Sequence, residues 1–181
     1  MSKVWANEFG EIPGVIAERT DLRNAVIALI TEQPMPGKVT EGGDRLIRFR
    51  EIMKALTAGT ISLSGACRMT EIQLPRLESI YGGNNRVFAS GWAERLVRTQ
   101  FSRFYNQAVM EELLREGAVS CFIPHSSDED SGSKCSRLLA GGSHDLRILY
   151  DRLMNSYAKG NWTSDLKVPE HPHCTHVVTP G

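Results

Sequence analysis

Long hydrophobic runs are missing from this chain. Nowhere do the roughly 20 consecutive apolar residues of a membrane span occur, so no membrane-crossing helix and no membrane partner are expected. The start, MSKVWANEFGEIPG, lacks a charged-then-apolar-then-small signal pattern, which points to a protein made and kept in a cytosol, or in something assembled there. Net charge is missing too. The 21 Lys and Arg residues match 21 Asp and Glu, so no global field recruits nucleic acid, and any DNA contact has to come from a local patch. Cys-x-x-Cys pairs are absent, and the four cysteines, Cys67, Cys121, Cys135 and Cys174, stand far apart. In a cytosolic setting such residues are buried thiols or metal ligands before they are disulfides. No internal repeat and no low-complexity segment is visible.

What is present is the composition of a folded protein. The 181 residues are 41% hydrophobic and 23% charged, enough to bury a real core in one domain or in a small domain with a helical extension. TDLRNAVIALITEQPMPG, with Thr20 or Asp21 as cap, sets Leu22, Ala25, Val26, Leu29 and Ile30 at helical spacing and stops at Pro34 and Pro36. DRLIRFREIMKALTAG repeats the formula between Asp44 and Gly59. The longest helical pattern lies between Asn85 and Glu116, where Val97, Phe101, Phe104 and Ala108 recur at steps of four, three and four. Phe101, Phe104 and Ala108 are expected to be buried. Arg95, Arg98, Arg103 and Arg115, beside Glu94, Glu111 and Glu112, are expected to form a solvated, salt-bridged face.

Beyond Gly117 the character changes. AVSCFIP reads as a strand, HSSDEDSGSKCS as a polar loop, SHDLRILYDRLMNSY as a helix capped by Ser143, and THVV as a terminal strand. The expected fold class is α+β, mostly helical in an N-terminal region, 1–84, with a small two- or three-stranded C-terminal β unit that a metal could staple. That unit joins the strand near Cys121 to the one near Val177.

Two motifs carry chemistry. Near the C-terminus, PEHPHCTHVV holds His171, Cys174 and His176 in the order H-x-x-C-x-H, three nitrogen or sulfur donors within one turn and the start of a strand. Zinc wants four such donors in a tetrahedron. Cys135 is the natural fourth, because it ends the polar loop and a returning strand would lie beside it; His125, His144, His173 and Cys121 are spares. The alternative is buried thiols and surface histidines. If the site exists, Cys135 is expected within about 8 Å of Cys174 or His171. The acidic run Asp128, Glu129, Asp130 reads as a solvated loop. No catalytic constellation is evident, so no enzyme and no small-molecule substrate are expected, with a small Cys/His/Asp hydrolase as a third reading. The second motif, LSGACRMTEIQLPRLESI, has the look of a helix-turn-helix, with Leu63, Ala66, Ile72, Leu77 and Ile80 as packing positions and Arg76 as the one cation of a reading helix. It supports an alternative function, a DNA-binding regulator with a Cys/His metal-binding tail.

Taken together, RTQFSRFYNQAVMEELLREGAVSCFIPHSSDEDSGSKCSRLLAG and VPEHPHCTHVVTP resemble the head-morphogenesis domain of the phage Mu F-like minor capsid proteins. Arg98, Thr99, Tyr105, Asn106, Glu111 and Gly117 match its helix; Asp128, Glu129 and Cys135 match its loop; His171, Pro172 and Cys174 match its end. The resemblance covers residues 85–181, with a long helical insert between the two cysteine elements. Gly132 stands where the family often has a cysteine, and His176 replaces its final one. The resemblance implies a minor head protein in the virion, present in the host cytoplasm during assembly. Its partners would be portal and capsid proteins, with DNA as a further candidate, and its role capsid assembly or DNA packaging and ejection.

Overall fold

The structure, a computed structural model, describes residues 2–181. Its front part is a set of short amphipathic helices. Pro13 opens α1 (Ile12–Glu18), where its missing N–H costs nothing, and Ile12, Val15 and Ile16 face inward. In α2 (Thr20–Glu32), Leu22, Val26, Leu29 and Ile30 are buried, and the chain turns extended at Gln33 before Pro34. α3 (Arg45–Ala58) ends at Gly59, whose left-handed backbone (φ 78°) lets its N–H reach back to the Ala55 and Leu56 carbonyls. Ser62 caps α4 (Leu63–Gln73), accepting from the Gly65 N–H at 3.0 Å.

The helix-turn-helix pattern ends there. After Pro75 only a single 3-10 turn forms, Arg76–Glu78, and Ile72, Leu77 and Ile80 are 61%, 93% and 75% exposed rather than packed. Arg76, the would-be base reader, turns its guanidinium onto its own loop, donating to the Gly82 carbonyl and the Asn85 side chain, both at 2.5 Å. Among the described residues, no α-helix stands between α4 and Trp92 to enter a groove.

α5 (Trp92–Arg115) organises the molecule. Every residue from Phe101 to Met110 is buried, because α2 and α4 pack on one side and α7 (Leu146–Leu153) on another. Phe101, Phe104 and Ala108 lie in the core as the spacing requires. The expected solvated arginine face does not survive this enclosure. Arg103 is fully buried, its guanidinium over the Phe104 ring at 4.2 Å and its Nη1 donating to the Pro34 carbonyl at 2.7 Å. Glu112 is buried as well and accepts from Arg19 Nη2 at 2.8 and 2.9 Å. One core runs from Ala6 to Val178 and draws on both sides of residue 84.

The back part is α+β in small. β1 (Ser120–Ile123) is the middle strand of an antiparallel sheet, between β2 (Gly142–Asp145) and β3 (Thr179–Pro180). Between β1 and β2 lies α6 (Lys134–Leu138), and Gly141, at φ 74°, turns the chain into β2 where a Cβ would meet the His125 ring at 2.5 Å. Ser143 is not the cap of α7 but a strand residue opposite Phe122; Asp145 caps the helix, accepting from the Ile148 N–H at 2.9 Å. THVV is not a strand either. Only Thr179 and Pro180 pair with β1, and Val178 gives its N–H to the Asn106 side chain at 2.8 Å. The first residues lie across this back part: the Ala6 N–H reaches the Tyr105 hydroxyl at 3.0 Å, and the Phe9 N–H reaches the Thr175 carbonyl at 2.8 Å.

Candidate metal centre

Cys135 sits in the first turn of α6, a short helix opened by Ser133, whose hydroxyl lies 3.2 Å from the Cys135 sulfur and accepts from the Ser136 N–H. His171 and Cys174 belong to the irregular tail. There the Cys174 N–H closes a turn on the His171 carbonyl at 3.0 Å, and Tyr157, in the π-helical turn after α7, donates to the Pro169 carbonyl at 2.7 Å. These anchors bring the tail against α6. Cys135 Sγ, a His171 ring nitrogen and Cys174 Sγ all lie within 4.8 Å of one another, close enough to hold a metal ion. The expectation that Cys135 meets Cys174 or His171 holds, with Cys135 Sγ 3.5 Å from His171 Nε2.

His176, the fourth residue of the expected set, lies outside this three-residue group but beside it, 1% exposed, with Nδ1 3.6 Å from Cys174 Sγ. Its other nitrogen, Nε2, lies 2.6 Å from Glu129, whose second oxygen lies 2.6 Å from His125 Nδ1. With Nε2–H given to the carboxylate, the Nδ1 lone pair is free to face the sulfurs. Glu129 is therefore no solvated loop residue: its side chain is 16% exposed and clamps two imidazoles. Two signals marked it in the sequence, its place in the acidic run and its match to the family's Asp-Glu loop, but neither says which histidine it meets.

The electrostatics follow from the crowding. The Cys135 thiol is pulled far below its usual range, first by Cys174, which acts as donor, and then by His176, Ser133 and His171 against the cost of burial. Cys174 moves the opposite way, held protonated by the Cys135 thiolate and by its own burial. Burial pulls His176 down, but the bonds to Cys135 and Glu129 outweigh it and raise it. Burial likewise pushes Glu129 up, and its bonds with His176, His125 and Ser136 bring it below the ordinary carboxylate range. Two cysteine sulfurs, which ligate as thiolates and so release their protons on binding, and two imidazoles are the donor types that a soft or borderline cation takes.

The spares lie elsewhere. His144 Nε2 is held by the Leu139 carbonyl at 2.8 Å, and Cys121, pushed up to about 11 by burial, lies against the His144 carbonyl in the sheet. His173 is exposed at the rim of a cleft of about 420 Å3 that also reaches Cys135, His171 and His176, past Arg98, Asp128 and Asp130. Comparisons with protein-family models, curated proteins and solved structures return no significant match.

Proposed function

We propose that the chain is a minor head protein of a tailed phage or prophage, acting in capsid assembly or in DNA packaging and ejection through portal, capsid or DNA contacts. We propose further that its tail is closed by a structural zinc ion on Cys135, His171, Cys174 and His176. The observation that carries this reading is the convergence of the matched residues. Asn106 of α5 binds the tail at Val178, and Cys135 of the loop meets His171 and Cys174 of the end, so three separated pieces of one sequence pattern form one unit.

Geometry supports zinc. A tetrahedral ion with Zn–S of about 2.3 Å and Zn–N of about 2.0–2.1 Å separates its sulfur and nitrogen ligands by about 3.6 Å. Two of the four sulfur–nitrogen pairs, Cys135–His171 and Cys174–His176, stand at 3.5 and 3.6 Å, while the ligand atoms mutually within 4.8 Å are those of Cys135, His171 and Cys174. Glu129 supplies the carboxylate–histidine support that such ligands receive from their surroundings. Four protein donors leave no open position for water, and the Glu129 carboxylate is engaged by two imidazoles, so the role fitted by this set is structural. The energy of binding is then folding energy for residues 159–178, which carry no helix or strand of their own.

The regulator alternative loses its reading helix in this fold, and the hydrolase reading has both thiols at 2% exposure or less. The test is co-expression with tailed-phage portal and capsid proteins, followed by affinity purification and elemental analysis. Retention on portal or capsid with one equivalent of zinc is the expected result. A metal-free chain that ignores both proteins and instead binds a specific duplex in a salt-sensitive manner would replace this reading with the regulator.

A further inference from the structure

A second cavity, also of about 420 Å3, shares His171 with the cleft at the cysteine cluster and lies within the range of about 300–1,000 Å3 typical of small-molecule sites. Three walls meet there: the loop around Lys38, one face of the first turns of α5, and the tail between Tyr157 and Pro172. Two properties set it apart.

The first is unbalanced charge. Lys38, Arg86, Arg95 and Lys167 all line it, and none forms an ion pair among the described residues. Lys167 is 6% exposed, and its ammonium has only the Asp165 carbonyl, at 3.4 Å. A buried cation without an anion is costly, and a ligand's negative charge removes that cost. The one carboxylate of the wall, Glu170, is already engaged by the Lys167 N–H at 3.0 Å and by Lys134 at 3.4 Å. In a chain of zero net charge this is a local positive site.

The second is aromatic surface. Trp92 and Tyr157 line the wall, and Trp162 stands at the mouth, 64% exposed, its ring edge-on to Tyr157 at 5.8 Å. An indole left in water but braced by a neighbouring ring is a stacking platform. Cations without ion pairs beside such a platform, Lys38 resting 5.4 Å from the Tyr81 ring centre, match one ligand chemistry, a planar base joined to a phosphate.

We propose that this cavity binds a nucleotide unit, the base against Trp162 and the phosphate on Lys38, Arg86 and Arg95. The proposal does not rest on the head-protein reading or on a bound metal, although His171 borders both sites. A free mononucleotide and one residue of a single strand offer the same chemistry. Calorimetric titration of the intact chain with adenosine monophosphate, inorganic phosphate and a roughly twelve-nucleotide oligodeoxyadenylate separates them. Saturable binding of a nucleotide form is expected, weakened about tenfold or more by Trp162→Ala. The double variant Arg86→Gln, Arg95→Gln should lower the salt dependence of strand binding by about 0.7 per cation removed. Tighter binding of the oligonucleotide identifies a strand as the source, and equal binding the free nucleotide. These side chains are partly or fully exposed, so circular dichroism should show both variants folded. Absence of binding, binding that both variants leave unchanged, or inorganic phosphate bound as well as the nucleotide would each overturn it.

Discussion

The helices in front of α5 and the tail behind it bury their residues by different means. In α2 and α3 the backbone satisfies itself within each helix, and what holds them is apolar side chains at a period of 3.6. From Lys159 to Val178 there is no helix or strand, yet Lys167, Val168, Cys174, His176, Val177 and Val178 are all buried. Their backbone is satisfied one group at a time by side chains, two from other elements and one from the tail itself: Asn106 for the Val178 N–H, Tyr157 for the Pro169 carbonyl, Glu170 for the Lys167 N–H. A helix tolerates the loss of one contact because its neighbours repeat it. The tail has no repeats, so each contact matters by itself.

The comparison can be broken where the two regions share a residue. Phe104 is fully buried in α5, and Phe104→Ala should cost about 3–5 kcal/mol, read as a lower denaturant midpoint for the whole molecule. Loss confined to the tail would show that the core is not continuous. Asn106→Ala should cost about 1–3 kcal/mol by stranding the buried Val178 N–H, with fast hydrogen exchange at 175–178 while α2 and α3 stay protected. Glu129→Gln sharpens the contrast further, since it leaves the four candidate ligands in place. Chelator competition should show metal held about 10- to 100-fold less tightly, and unchanged affinity would remove Glu129 from the site.

A weaker effect is expected from acid. Glu8 accepts bonds from the Ser127 side chain and N–H and from Ser126, which hold its carboxyl below the ordinary value of 4.5. A group depressed in the folded state stabilises it above the unfolded pKa and loses that contribution as pH falls through the folded one. The contact between residues 8 and 126–127 should therefore persist at neutral pH and open below roughly pH 4.5, an effect absent in Glu8→Gln. Exchange at Ser127 followed against pH checks it. The smallest change belongs to Leu77→Ser. At 93% exposure it should move stability by less than about 0.5 kcal/mol, whereas a packed helix-turn-helix would lose several times that.

This contrast also explains what could be read from the amino-acid order. α2, α3 and α5 announce themselves, because periodic burial is written locally, and Gly59 ends its helix for a reason visible in one residue. The meeting of Cys135 with His171 and Cys174 was legible from donor chemistry, whereas His176 lies beside Cys174 but outside that group of three. Arg103 was misread since nothing near it says that a second layer will cover that face of α5. Ser143 lost its capping role because strand pairing with Phe122 claimed its backbone, leaving the cap to Asp145. The terminal strand came later than the β-branched run suggested, since Val178 is claimed by Asn106, a partner 72 positions away.

The bond from the Phe9 N–H to the Thr175 carbonyl has a consequence in time. A ribosome adds about 5–20 residues per second, so the 166 residues between them take on the order of 8–33 seconds to synthesise. Through that interval the helices of the front can assemble, while Ala6 and Phe9, apolar and destined to be buried, wait without their final neighbours. The clasp between residues 9 and 175 forms only after nearly all of the helices have been made, followed by the Val178 bond to Asn106 and the pairing of Thr179 and Pro180 with β1, and a nascent chain stalled before residue 175 would leave that adhesive segment open to chaperones.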